Sequence, residues 1–535
     1  MNSTKTRRTF VERRRLQRRI AAVSLLAAFA LLLLLTPTGA GKDGYTSIAV
    51  TPPAAPGTPG TTAGGNPCAP GVRQLPGSAY SPLCIPAWHG INGGSTSIGV
   101  TPTTITVTYR QASSTQIEDL YSLLPKSVVG TNENIIQTLQ TYVNEFNKSF
   151  DLYGRKVVLK PYQGQGDFIS EETGSGQAGA QADAEKARSE YGAFADVSMF
   201  DASPPYTQAL ASQHVISFPI NLGAEQTYQQ NAPYEYTPGP DCSKGAAATS
   251  AILGQALNNQ PAMYAGSADL RSKQRVYGII TTANTLFIQC ANILDHELIA
   301  DGARVAVNQS VTFNPTDYAG ELSTDMAKMK QAGVTTVICS SCDPITPGFA
   351  MGQATNQGYF PEWFLEPAFA ADITLLPPFL RLFPGNQSSS VLTFGITPGP
   401  RSEQEAVKVY EAGNNGSTDG LMPTYNFAYS TLMMLFDGLQ AAGPDLNPAT
   451  FAQGLANSSV LPASGPTASF GAWNFGPGTF DPASNFQILQ WNNNQTSVFD
   501  GKPGSLTACN GGTNYYYSEL DLEFTPSTAV TCPSG

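Results

Sequence analysis

Three apolar segments recur in the second half of the chain: VYGIIT at 276–281, ARVAVNQSV at 303–311 and VTTVICS at 334–340. A shorter one, WFL, follows at 363–365. Their length and β-branched content are typical of buried strands. Apolar residues at helical spacing lie between them, so strand and helix alternate along this stretch. That alternation predicts a parallel sheet flanked by helices, in which ligands bind beyond the carboxyl ends of the strands.

Short motifs occur around these units in a definite order. NPTDY at 314–318 opens a predicted helix, KQAGV at 330–334 leads into a strand, and QATNQGY at 353–359 ends a helix. NEFNKSFDLYGRKV at 144–157 leads from a helix into a strand, and residues 425–457 read as a long helix, an Ala-Gly turn and a short helix. Together the motifs resemble the type I periplasmic solute-binding proteins of the branched-chain amino acid group, which are the capture subunits of ABC importers.

The resemblance covers roughly residues 97–505. It implies an α/β fold of two lobes, each a mostly parallel sheet flanked by helices. Lobe 1 is expected at 97–235, lobe 2 at 236–390, and the segments that cross between the lobes at 391–505. A tail closed by a disulfide is expected at 506–535.

The N-terminus predicts export. Five arginines between residues 13 and 19 precede an apolar run at 20–35, and Thr38-Gly39-Ala40 follows as a small-residue cleavage site. Residues 1–40 therefore read as a signal peptide or an uncleaved signal anchor, and both alternatives stay open. Membrane contact is expected through this segment alone. Residues 41–96 are rich in Pro, Gly and Thr, which predicts a semi-extended tether.

Composition excludes several kinds of partner. Residues 1–40 hold eight of the 29 basic and one of the 40 acidic residues, so the rest of the chain carries 21 basic against 39 acidic residues. A surface this acidic disfavours nucleic acid and anionic lipid as partners. The 535 residues and 41% apolar content are enough for sizeable cores in about three domains.

The eight cysteines are even in number and follow an export signal, which predicts disulfides. Cys339 and Cys342 form a CxxC motif between a strand and a helix, where a redox dithiol is the alternative to a structural bridge. A zinc site would need two more ligands, and none is nearby in the sequence. Neither a metal nor a cofactor is expected. The predicted pairs are sequential: Cys68–Cys84, Cys242–Cys290, Cys339–Cys342 and Cys509–Cys532.

Little in the sequence supports catalysis. The three histidines are far apart, and no nucleophile-elbow, zinc-protease or phosphate-loop motif occurs. The neighbouring Glu171 and Glu172 lie in a Gly- and Ser-rich stretch and are expected to be a solvated turn. The chain is therefore predicted not to be an enzyme, with an exported α/β enzyme as the remote alternative.

Ligand-binding residues in lobe 1 are expected in three loops after strands. Ser113 and Ser114 follow the first strand, and Ser203 matches the ligand-binding serine of the resembled family. Asn221 and Glu225 lie in NLGAE at 221–225, where that family has SPGAT. A carboxylate at residue 225 would repel the carboxylate of an amino acid. This departure favours an amine, amide, polyol or peptide over a branched-chain amino acid.

Ligand-binding residues in lobe 2 follow three further strands. For each of them, a helix cap or a solvated loop is the structural alternative. The residues are Thr282, Asn284, Ser340, Ser341, Asp343 and Glu366.

The expected function is reversible capture of a small polar solute outside the cytoplasm, for delivery to the permease of an ABC importer. An extracellular ligand-binding sensor without a transporter is the main alternative. The sequence does not identify the solute.

Overall fold

The computed structural model describes residues 49–113, 130–220, 223–312, 317–343, 346–366, 376–381, 385–397, 399–458, 471–520 and 530–533. The predicted export segment at 1–40 lies outside these ranges. Within them, no helix combines the length and the apolar character needed to cross a membrane.

Lobe 1 is built on a parallel sheet of four strands, in the spatial order β2-β1-β3-β4. The strands are β1 (Thr104–Ser113), β2 (Lys156–Asp167), β3 (Ala195–Met199) and β4 (Ile216–Pro219). All five residues of β3 are buried, as expected for a central strand covered on both faces.

Among the residues that the structure describes, five helices lie between or after these strands. Thr131 is the N-cap of the first helix and forms a capping box with Asn134. The helices are α1 (Asn132–Ser149), α2 (Phe168–Glu172), α3 (Gln177–Ser189), α4 (Pro204–Ser212) and α5 (Glu225–Gln230).

Lobe 2 contains the strands that the sequence predicts, in a sheet ordered β11-β10-β9-β8-β7-β5-β6 with β12 paired to β10. Strands β5 to β9 are parallel to one another. At one edge, β10 pairs antiparallel with β9, and β11 pairs antiparallel with β10. The strands are β5 (Tyr277–Thr282), β6 (Val305–Val311), β7 (Thr336–Cys339), β8 (Glu362–Leu365), β9 (Val391–Gly395), β10 (Asn485–Thr496), β11 (Pro503–Ala508) and β12 (Tyr515–Tyr516).

The helices of lobe 2 cover its parallel strands, and the two predicted between them are present as α8 and α9. The first helix of the lobe continues as a π-helical segment, Ala251–Leu257. The helices are α6 (Cys242–Ser250), α7 (Ala268–Arg271), α8 (Thr285–Ala300), α9 (Tyr318–Gln331), α10 (Thr346–Asn356), α11 (Leu376–Leu380) and α12 (Gly385–Ser388).

The chain then returns to lobe 1 with α13 (Glu405–Gly413), α14 (Tyr425–Ala442) and α15 (Pro448–Ala456). Tyr142 of α1 donates a hydrogen bond to the Ala406 carbonyl at 3.0 Å. These helices share one hydrophobic core with β1 to β4. The segment 391–505 therefore adds whole elements to both lobes as well as crossing between them. Short 3₁₀ turns occur at Arg401–Glu403, Asn510–Gly512 and Tyr517–Glu519.

Residues 49–96, here called the N-terminal cap, differ from the predicted tether because they are folded onto lobe 1. The Trp88 amide donates to Asp151 at 2.6 Å, and the Gln74 side chain donates to the Ser149 carbonyl at 2.7 Å. Within the cap, the Thr51 amide reaches the Ile91 carbonyl at 2.9 Å. Composition predicts a spacer here, but a disulfide and specific hydrogen bonds can order a segment that lacks a core pattern.

All four disulfides join the predicted partners. Two of them, Cys242–Cys290 and Cys339–Cys342, lie in lobe 2, and Cys68–Cys84 lies in the N-terminal cap. The fourth, Cys509–Cys532, closes the C-terminal tail just after β11.

Candidate functional site

The two sheets meet at the carboxyl ends of their strands. Asn284 follows β5 in lobe 2, and its side-chain amide donates to the Glu172 carbonyl of lobe 1 at 3.0 Å. The same amide reaches the Glu172 carboxylate. Glu172 ends the short helix that follows β2. The strand ends of both lobes and the turns that follow them are called the cleft below, and they are where α/β folds bind ligands.

The lobe 1 side of the cleft contains a buried ion-pair network. Arg110 of β1 is fully buried and donates to both carboxylate oxygens of Glu171, at 3.0 and 2.9 Å. It also pairs with Asp183 at 3.2 Å and stacks 3.8 Å from the centre of the Tyr206 ring. Ser203, at the start of α4, donates its hydroxyl to Glu171. Burial lowers the pKa of Arg110, but its hydrogen bonds to Glu171 and its electrostatic interactions with Tyr206, Glu171 and Asp183 together outweigh that effect and raise the pKa overall.

Two glycines of β2 make room for this network. A Cβ at Gly166 would lie 1.9 Å from a Glu171 carboxylate oxygen, and one at Gly164 would lie 2.6 Å from an Asp183 oxygen. Since no larger residue fits at either position, the sequence GQG at 164–166 in this strand is explained by the approach of two carboxylates to Arg110.

Glu172 lies beside this network and at the contact between the lobes. Burial and the neighbouring Glu171 raise the pKa of Glu172 to about 8, while the hydrogen bond from Asn284 opposes the rise. At neutral pH this carboxyl is therefore mostly protonated, and it can act as a hydrogen-bond donor in the cleft.

The lobe 2 side of the cleft contains a second serine–glutamate pair. Ser340, directly after β7, donates its hydroxyl to Glu366, directly after β8. Thr249 of α6 lies 3.4 Å from the other carboxylate oxygen. Burial raises the pKa of Glu366 to about 7, and hydrogen bonds from Ser340, Thr249 and the Ser341 amide oppose the rise. Glu366 therefore changes charge near neutral pH.

Asp343 accepts hydrogen bonds from three hydroxyl groups on the lobe 2 side of the cleft. Its carboxylate accepts from Thr282 and from Tyr318, each at 2.7 Å, and from the Thr346 hydroxyl. The backbone amide of Thr346 donates to its other oxygen at 3.0 Å, so Asp343 also caps α10. Its own amide donates to the Thr282 hydroxyl at 2.9 Å.

On each side of the cleft, one residue where a strand leads into a helix has a left-handed backbone conformation. Met199 ends β3 with φ of 48°, and Ser341 follows β7 with φ of 48°. Residues other than glycine adopt this region rarely, and such outliers concentrate at functional sites.

The structure brings most of the predicted site residues to this edge. Thr282 ends β5, and the turns at the carboxyl ends of strands contain Ser203, Asn284, Ser340, Ser341, Asp343 and Glu366. Asn284 and Asp343 also act as helix caps, which was the structural alternative for them.

Other predicted residues are placed differently or are not described. Glu225 is exposed on the first turn of α5 and accepts a hydrogen bond from Gln229 at 2.8 Å. Ser113 ends β1. Ser114 and Asn221 lie outside the described residues.

The expectation that Glu171 and Glu172 form a solvated turn is wrong. Glu171 is buried and ion-paired, and Glu172 bridges the lobes. The missed signal was Arg110, an arginine inside the strand pattern ITVTYR. A buried arginine requires carboxylate partners elsewhere in the chain. Among the described residues, no group of three or more His, Cys, Asp or Glu side chains could hold a metal ion.

No protein-family model matches the sequence, and no curated protein matches it. Solved structures do resemble it. A solute-binding protein of an ABC transporter from Rhodopseudomonas palustris BisB5, in complex with 3,4-dihydroxybenzoic acid, is 13% identical, with a TM-score of 0.54 over 77% of this chain and 98% of that one. A leucine-, isoleucine-, valine-, threonine- and alanine-binding protein from Brucella ovis, in its closed conformation, is 13% identical, with a TM-score of 0.54 over 81% and 100% of the two chains.

At such low identity the likeness shows the fold. The chain has the two-lobed α/β fold of the type I periplasmic solute-binding proteins of ABC transporters, which confirms the fold implied by the sequence motifs.

Proposed function

We propose that this chain is an extracytoplasmic solute-binding protein that captures a small polar solute for an ABC importer. The observation that carries the proposal is the convergence of polar side chains from both lobes on one edge, with Asn284 bridging to Glu172. A ligand bound between two such walls contacts both lobes, so its binding energy is available to close them.

The charge of the walls favours a solute that presents hydrogen-bond donors. In the parts of the cleft that the structure describes, Arg110 is committed to Glu171 and Asp183. Glu366 is held by hydroxyl groups and a backbone amide, and its charge is not matched by an ion pair among the described residues. An amine, an amide or a cationic amino acid would supply the missing donors. A simple carboxylate such as a benzoate would be repelled.

The N-terminal sequence supports the location. Its basic residues and apolar run are typical of a signal peptide or signal anchor, and the oxidised pairing of all eight cysteines suits an extracytoplasmic protein. The partner we propose is the permease of an ABC importer. A sensor module would use the same cleft, and genes for a permease or a kinase beside this one would separate the two functions.

Mass spectrometry of small molecules released from the denatured, purified protein tests the proposal directly. Calorimetry should then be run with arginine, leucine and 4-hydroxybenzoate as fixed probes. We expect arginine to bind most tightly of the three and 4-hydroxybenzoate not to bind. Glu366→Gln should weaken arginine binding at least tenfold at pH 8, whereas Glu185→Gln, an exposed change on α3, should leave it unaltered. Chemical turnover of a released solute would favour an exported enzyme instead.

A further inference from the structure

Four residues, Cys339 to Cys342, form the turn that follows the central strand β7 of lobe 2, and a disulfide closes them into a ring. Both sulfur atoms are buried, since Cys339 is 1% and Cys342 is 7% exposed. Inside the ring lie Ser340 and Ser341, which are also buried. Crosslinking the ends of so short a segment limits its backbone to few conformations.

The ring presents two donors to one acceptor. The Ser340 hydroxyl donates to the Glu366 carboxylate, and the backbone amide of Ser341 faces the same side chain closely enough to lower its pKa. The direction of that amide depends on the backbone at 340 and 341, and Ser341 adopts the left-handed region with φ of 48°. For a serine this conformation costs on the order of 1 kcal/mol, so something must hold it.

Lobe 1 shows how the equivalent turn is held without a covalent bond. After β3, the Asp201 amide donates to the Ser198 carbonyl at 2.8 Å, and the Ala202 amide donates to the Met199 carbonyl at 3.2 Å. The first of these bonds spans the same three-residue separation as the disulfide between Cys339 and Cys342. The disulfide closes its segment by a covalent bond, and the left-handed residue is third in that segment, whereas it is second in the hydrogen-bonded segment of lobe 1.

We propose that the Cys339–Cys342 disulfide is a positioning element of the solute site. It holds Ser341 in its left-handed conformation, so that the Ser340 hydroxyl and the Ser341 amide both face the Glu366 carboxylate. The ring also ends next to Asp343, whose carboxylate accepts hydrogen bonds from Thr282 and Tyr318. This role rests on the proposed solute-binding function for its meaning. Its test needs no solute, so the two can fail separately.

The experiment compares Cys339→Ser/Cys342→Ser with the intact protein by carbon-13 NMR titration of the Glu366 carboxyl. Because the two donors lower the pKa of Glu366, which is about 7, their loss should raise it by about one pH unit or more. Adding Ser341→Gly to the double variant should bring the value back toward 7, because glycine enters the left-handed region without cost. Cys68→Ser/Cys84→Ser in the N-terminal cap is the matched control for the loss of a crosslink, and it should leave the Glu366 titration unchanged.

An unchanged pKa in the Cys339→Ser/Cys342→Ser protein would overturn the proposal and leave the disulfide as a simple crosslink. So would a raised pKa that Ser341→Gly does not reverse, because the effect would then not act through residue 341. If the double variant does not fold, the triple variant decides: a folded triple variant with a normal Glu366 titration supports positioning, and an unfolded one shows that the bond serves folding itself.

Discussion

In lobe 1, the serine that follows a central strand donates to Glu171, whose charge is balanced by Arg110. In lobe 2, Ser340, which directly follows β7, donates to Glu366, whose carboxylate is held by hydroxyls and the Ser341 amide. Each side of the cleft thus has a serine–glutamate pair, but the two sides differ in which groups stabilise the buried carboxylate. The first is paired with a buried guanidinium, whereas burial raises the pKa of the second to about 7, so that it can lose its charge by taking up a proton.

This difference has a consequence for ligand binding. A carboxylate already paired with an internal guanidinium offers little net charge to a solute. A carboxylate that titrates near neutral pH can exchange its proton for a cationic or donor group of the solute. We therefore expect lobe 1 to supply a rigid surface and lobe 2 to supply the charge that selects the solute.

The largest effect is expected from breaking the ion pair of lobe 1. Arg110→Met leaves Glu171 and Asp183 buried without a cation, which should destabilise the protein by about 4 kcal/mol. Chemical denaturation measures the change. Arg381→Met is the matched control, because the Arg381–Asp500 pair is partly exposed and should contribute about 1 kcal/mol or less. If the two variants lose the same free energy of unfolding, the buried network of lobe 1 contributes no more to stability than a partly exposed ion pair.

A pH-dependent effect of intermediate size is expected from lobe 2. The pKa of Glu366 is raised to about 7 from an unfolded value near 4.5, so the folded state binds this proton more tightly than the unfolded state. The contribution of Glu366 is then fully present below about pH 4.5 and is lost as pH rises toward 7. Glu366→Gln removes that loss. The variant should match the wild type at pH 4 and exceed its free energy of unfolding by on the order of 3 kcal/mol at pH 8.

Denaturation curves at several pH values test this prediction. The exposed change Glu185→Gln should produce no such pH-dependent difference. If Glu366→Gln is less stable than the wild type at pH 8, the carboxylate must be stabilised by a charge that the described residues do not include.

A smaller effect is expected where the two walls meet. Asn284→Ser keeps a side chain that can cap α8 but loses the amide that reaches Glu172. Because that hydrogen bond lowers the pKa of Glu172, its loss should raise the pKa above the present value of about 8. The lobes should also separate more readily, by about 1 kcal/mol. Small-angle X-ray scattering of the solute-free protein would show a larger radius of gyration, and an unchanged radius together with an unchanged Glu172 titration would contradict the bridging role.

The sequence predicted the repeating part of the fold because that part follows from local patterns. Strands β5, β7 and β8 and helices α8 and α9 follow from apolar spacing and from glycines after helix ends. The disulfides were predicted as sequential pairs, and the structure confirms them. The structure places Ser340, Asp343 and Glu366 at one edge of the sheet, because parallel topology brings the turns after strands together, and their part in ligand binding stays a prediction.

The sequence did not predict the network of lobe 1, because its members are far apart along the chain. Arg110 and Glu171 are 61 residues apart, and no local pattern links them. The Gly-rich surroundings of Glu171 suggested a solvated turn, whereas a Cβ at Gly166 or Gly176 would collide with the buried Glu171, so these two glycines make room for it. The N-terminal cap was missed for a related reason, since its order depends on contacts with residues of lobe 1 such as Asp151.

The smallest effect on stability and solute affinity is expected from a change at Glu225. It tests whether an exposed carboxylate contributes less to solute selection than the buried Glu366. Glu225 is exposed and bonded to Gln229 on the same helix, so water and salt screen its charge. Glu225→Gln should change the free energy of unfolding by less than about 0.5 kcal/mol. For a cationic probe such as arginine, it should slow association at low salt and leave the affinity nearly unchanged at physiological salt. Calorimetry and stopped-flow measurements at two ionic strengths separate these outcomes. An affinity loss of tenfold or more at physiological salt would place Glu225 against the solute, and charge selection would then have to be assigned to lobe 1 as well as to lobe 2.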